Sequence, residues 1–168
     1  MASALTTFAP LVGDVDALEA YLEELSPSVF ARLEMAHLAR VQIFRALVHQ
    51  GPKQRRTDTL RTPQLVFTST YDGSLDAFLD ALAERVPEAD EWWGRCAGYP
   101  GRDDRAAFRA FVRRHEVRTS LFASALPEAT VAEVRDALVL RERLVDFAAE
   151  AQGLDAAALH ERFRATFG

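Results

Sequence analysis

A single cysteine, Cys96, rules out an intramolecular disulfide and any zinc site assembled from several thiolates, so the chain needs no oxidising compartment. No stretch reaches the ~20 consecutive apolar residues that span a bilayer, and the opening MASALTTFAPLVGD lacks a charged start followed by a long apolar run. Both absences predict a cytoplasmic chain with no membrane partner. There is no HExxH, no glycine-rich phosphate loop and no GxSxG, which leaves zinc proteolysis, P-loop chemistry and nucleophile-elbow hydrolysis without their usual supports. Positive charge is also short: 20 Lys and Arg face 25 Asp and Glu, a net charge of −5 that argues against nucleic acid as a partner.

What is present belongs to an ordinary globule. Of the 168 residues, 49% are apolar and 27% charged, which predicts one domain over 1–168 with a real core. Its organising stretch is Pro63–Ser74, PQLVFTSTYDGS. Leu65, Val66, Phe67 and Thr68 are strand formers, Asp72-Gly73 supplies a turn, and Ser74 is placed to cap a helix. That helix carries Leu75, Phe78, Leu79, Leu82 and Val86 at helical spacing until Pro87 ends it.

Before it, Ser3–Pro10 predicts a short strand, and Asp14 starts a helix with Val15, Leu18, Leu22 and Leu25 on one face, stopped by Ser26-Pro27. In Met35–Leu47 the residues Ala39, Val41 and Ile43 alternate with Arg40, Gln42 and Phe44, which favours a strand over a helix. Residues 50–63 form a long basic hairpin connection, either a functional flap or a solvated loop; without interleaved aromatics it makes a poor nucleic-acid site. After the central helix come a tryptophan-bearing helical stretch over Glu88–Ala97, a GYPG loop, and a helix from Asp103 or Asp104 to His115. Arg118–Leu126 is the fourth strand candidate. Thr130 and Glu133 have capping-box spacing at the head of a long helix ending at Gly153, and Asp155 starts a last one.

The order predicts an α+β domain with a ferredoxin-like β-α-β-β-α-β sheet, helices on one face and extra helices at the C-terminus. Strict alternation puts Thr6, Phe8, Arg40, Gln42, Thr68, Thr70, Ser120, Phe122 and Ser124 on the uncovered face, with Asp72 at its rim. Such a face is either solvated or buried by a second copy, and in the second case a cavity for a small molecule lies between the sheets.

Five segments carry a resemblance: His37–Arg40, Leu65–Ser74, CAGYPG at Cys96–Gly101, RRHEVRTSLF at Arg113–Phe122 and LPEATVAEV at Leu126–Val134. Together they resemble a family of poorly characterised bacterial ferredoxin-like proteins. That family is similar in fold to dimeric α/β-barrel proteins and, more distantly, to dye-decolourising peroxidases. The resemblance implies a homodimer and a small-molecule site, with oxidative or cyclising chemistry that is either haem-dependent or cofactor-free. Of the peroxidases' distal GxxDG motif, Asp72-Gly73 matches the end, and this chain has one unit where they have two.

A haem site needs an axial donor and a distal polar group. His115 is the candidate axial ligand, flanked by Arg114 and Phe122 as cofactor contacts, with Arg40 and Asp72 as the distal pair. The plainer reading of His115 is a helix-end residue satisfying the last carbonyls. Without haem, Arg40 clamps a carboxylate or enolate and His37 or Asp72 is the base; the plainer readings are an Arg40 paired with a carboxylate at the sheet edge and a half-buried His37 bonded to backbone at the start of a strand. A non-catalytic protein would use the same face to pair subunits or hold an effector. Cys96 reads as a small core residue or a reactive thiol, and Tyr99 as a packed loop anchor.

Overall fold

The computed structural model describes residues 2–25, 29–49, 51–56 and 59–168. The predicted helix stop at Ser26-Pro27, and Gln50, Thr57 and Asp58 of the basic connection, lie outside them. The chain divides into two compact units, Met1–Thr130 and Val131–Gly168.

In the first unit, β1 (Ala2–Pro10), β2 (Ala36–Phe44) and β3 (Gln64–Asp72) form an antiparallel sheet in the order β1-β3-β2. The stretch with the strongest strand signal is thus the central strand. α1 (Val15–Glu24) follows β1, and a short 3-10 turn at Val29–Arg32 leads into β2. After β3 come α2 (Leu75–Arg85), the short α3 (Ala89–Trp93) and α4 (Arg105–His115). The helix starts are where the sequence puts them. Asp14, Ser74 and Asp104 are extended cap residues whose side chains accept backbone N–H bonds from the first turn of α1, α2 and α4.

Alternation along the strands separates two faces. Leu5, Ala9, Leu65, Phe67 and Tyr71 are buried in one core with Leu18, Phe78, Leu79, Leu82, Trp92, Trp93, Phe108 and Val112. Aromatic rings tie its layers together: Phe67 meets Trp93 edge-on at 5.2 Å, Trp93 meets Phe108 at 5.4 Å, and Tyr71 stacks on Phe78 at 4.4 Å. The intervening residues lie on the opposite face in cross-strand rows. Thr6, Thr68 and Arg40 form one row, and Phe8, Val66 and Gln42 the next.

The expected fourth strand does not form. At the end of α4 the chain touches β1 through a Thr7–Glu116 bridge and a 2.8 Å hydrogen bond from Val117 N–H to the Thr6 carbonyl, and then leaves it. Arg118–Leu126 is exposed coil, so Ser120, Phe122 and Ser124 are not on a strand, and among the described residues the sheet has three strands rather than four. The composition explains this. Leu121, 88% exposed, is the one large side chain the segment could offer the helical layer. Ladder hydrogen bonds exchanged for bonds to water add little, so they do not offset the ~1–2 kcal/mol per residue of backbone ordering.

The second unit holds α5 (Val131–Glu150) and α6 (Ala156–Phe167), the latter capped by Asp155. Phe147 of α5 packs on Phe163 and Phe167 of α6, with ring centroids 5.7 and 5.4 Å apart.

Candidate functional site

β3 brings the chemistry-bearing side chains together, because Thr68, Thr70 and Asp72 share its uncovered face. β2 supplies their neighbours. Its pairing with β3 is irregular between Ala36 and Leu38, and the intervening His37 is the extra residue of that irregularity. The bulge frees His37 from strict alternation, and its Nε2 lies 2.9 Å from Asp72 Oδ1. Asp72 is anchored in turn, since its N–H donates to the Met35 carbonyl at 2.9 Å. The two side chains are 25% and 14% exposed, covered enough to hold their geometry and open enough for a ligand to reach.

A carboxylate only accepts, so Nε2 carries the shared proton, and whenever the ring is neutral its lone pair is on Nδ1. That is the arrangement of a histidine base oriented by an aspartate. Arg40 lies opposite Thr68 in the register, four residues back along β3 from Asp72, or ~13 Å at ~3.3 Å rise per residue. No ion pair among the described residues includes Arg40, which leaves its guanidinium to meet an anion.

Comparison with family models, curated proteins and solved structures finds no match. The site is therefore argued from its own geometry. The structure brings His37 and Asp72 together, with Arg40 on the same sheet. It places His115 elsewhere, at the end of α4 in the helical layer, with Nδ1 donating to the Phe111 carbonyl at 2.9 Å and the ring 4.5 Å from that of Phe111. This bond is the helix-end role, and it leaves Nε2 as the one ring atom with a lone pair to offer. Arg114 is exposed on the same helix, and Phe122 lies in the coil beyond it. Among the described residues no group of three or more His, Cys, Asp or Glu could hold a metal ion, and no helix is long and apolar enough to cross a membrane.

Two other candidates are packing residues. Cys96 is buried, and burial pushes its thiol up to about 12. Tyr99 packs edge-on against Phe111 at 5.3 Å and donates its hydroxyl to Asp90 Oδ1 at 2.5 Å; burial first, and that carboxylate second, push its phenol far above the usual range. A concavity of about 270 Å³ along β2, bordered by Leu22, Leu25, Phe30, Arg40 and Trp92, was not foreseen. Trp92 is fully buried there, and its indole N–H has no hydrogen-bond partner among the described residues. Leu22, Leu25, Phe30 and Trp92 each read locally as core, so of the residues named here Arg40 alone carries a sequence signal for the cleft.

Proposed function

We propose that this protein binds a small carboxylate- or enolate-bearing molecule on the uncovered sheet face and moves a proton on it, as part of oxidative or cyclising chemistry. The observation that carries this reading is the 2.9 Å contact between His37 Nε2 and Asp72 Oδ1. In the cofactor-free form, His37 Nδ1 takes a proton from the carbon next to a carbonyl. The Asp72 carboxylate steadies the resulting imidazolium, and Arg40 holds the enolate or carboxylate oxygen. The ferredoxin-like fold belongs to the same proposal; the antiparallel β1-β3-β2 order and the contact of Glu116 with the outer edge of β1 support it. In a haem-dependent form, His115 Nε2 would hold the iron, with Arg114 and Phe122 as the further contacts, at the end of α4 rather than beside His37, and the group would supply oxidation by peroxide or dioxygen.

Solvent-deuterium exchange into a panel of small 2-oxo and 3-oxo acids tests the proton transfer. Wild-type protein is expected to label a bound member of the panel, and His37→Ala and Asp72→Asn to lose the labelling while still binding it. If Arg40→Ala leaves binding unchanged, the site lies elsewhere. Soret absorption that survives desalting supports the haem-dependent form, and its absence after haem supplementation removes it. The second reading is a non-catalytic protein whose sheet face pairs subunits, favoured by exposed Phe8, Leu38 and Phe44 on that face. It requires Phe8→Glu to dissociate a dimer.

A further inference from the structure

α5 carries two apolar stripes, and its own hairpin covers only part of one, leaving Leu140 and Leu144 on it 52% exposed. The covered stripe meets α6 through Phe147, on Phe163 and Phe167, and through Arg143, which lies 5.3 Å over the Phe167 ring and donates to the Thr166 carbonyl. The other runs Val134, Leu138, Arg141, Val145 and Ala148, alternating steps of four and three residues as in a coiled-coil seam. Leu138 and Val145 on it are more than half exposed. A helical pair of under ~40 residues with so little buried seldom holds together without a partner.

We propose that this stripe pairs with the same stripe of a second copy, the two α5 helices running antiparallel about a two-fold axis. The charges beside the stripe select this occupant. Arg135 and Glu142 flank it on one side, seven residues apart, and neither has an ion-pair partner among the described residues. In an antiparallel seam, residues at this flanking position face one another. Setting Val134 against Val145 of the second copy therefore sets Arg135 against Glu142 of that copy, and the symmetry repeats the pair. Arg141 falls beside Leu138 of the second copy, where its aliphatic stem covers apolar surface and its charged end reaches water. A single charged residue in the seam also penalises shifted registers.

Sedimentation velocity on the full chain tests the pairing. The wild type is expected to be a dimer. Arg135→Glu and Glu142→Arg are each expected to weaken self-association about tenfold or more, because each turns two attractive pairs into repulsive ones. The double variant, with the charges exchanged, restores the dimer. Neither change disfavours α5 itself: an acid near the helix start suits its dipole, and Arg at 142 gains Asp146 one turn on. Leu138→Glu gives a monomer, with far-UV circular dichroism confirming that it is folded. A wild type that stays monomeric up to millimolar concentration overturns the proposal. So does a dimer indifferent to all these changes, which would direct attention to Phe8 and the sheet face. Single variants that dissociate without rescue by the double variant overturn the antiparallel register.

Discussion

Cys96 shows how burial sets the chemistry of one side chain. Its surroundings push the thiol from 9.0 to about 12, since ionising it would strand a charge in the core. In native protein it is expected to be inert to a thiol-specific disulfide reagent at mildly alkaline pH, and to react at once in denaturant. The same shift predicts a pH dependence of stability. Below about pH 9 the thiol is protonated in both states; between 9 and about 12 the unfolded chain loses the proton and the folded chain keeps it, so stability falls as pH rises. The buried phenol of Tyr99 is shifted in the same direction. Denaturant midpoints should therefore decline through this window, less steeply in Cys96→Ala. Gly73 makes a different demand. Its φ of +83° lies in the left-handed region, and a Cβ there would meet nothing within 4 Å. Gly73→Ala is accordingly expected to cost about 1–2 kcal/mol from backbone strain alone, read as a lower midpoint. His37→Ala should cost less than ~1 kcal/mol, because its pair with Asp72 is partly solvated; a functional loss in that variant would not be a folding loss.

Among the elements, β3 and Arg118–Leu126 make the useful contrast. Both are followed by turn-forming residues and contain apolar side chains, yet only β3 has a strand on each side and a helical layer beneath Leu65, Phe67 and Tyr71. Amide exchange measured by mass spectrometry should find 118–126 nearly unprotected and β3 among the slowest segments. Ser120→Pro is expected to change stability by no more than ~0.5 kcal/mol, since no ladder bond is lost there. A proline at Thr68 would remove a bond from the middle of the sheet and should prevent folding.

For the molecule as a whole, the decisive fact is where the core lies. Every residue of the main buried cluster falls between Leu5 and Val112, inside the first unit. A chain ending at Thr130 is therefore expected to unfold cooperatively, with a midpoint close to that of the full chain. The α5–α6 pair expressed alone should show weak, concentration-dependent helicity, because it buries so little by itself. Circular dichroism against temperature and concentration checks both.

Much of this was legible in the sequence. Asp14, Ser74, Asp104 and Asp155 mark helix starts because capping is a bond between a side chain and a backbone N–H two or three residues away. Arg40, Thr68 and Thr6 share one face, as the sequence alone indicates, because a strand repeats every two residues wherever it is placed. The tertiary structure decided what depends on distant partners. Asp72 and His37 are 35 residues apart and meet only because β2 bulges at the point where β3 ends. The fourth segment has strand-like residues and no strand, because extended backbone stays ordered only when enough neighbouring surface is buried with it, and that surface comes from elsewhere in the chain.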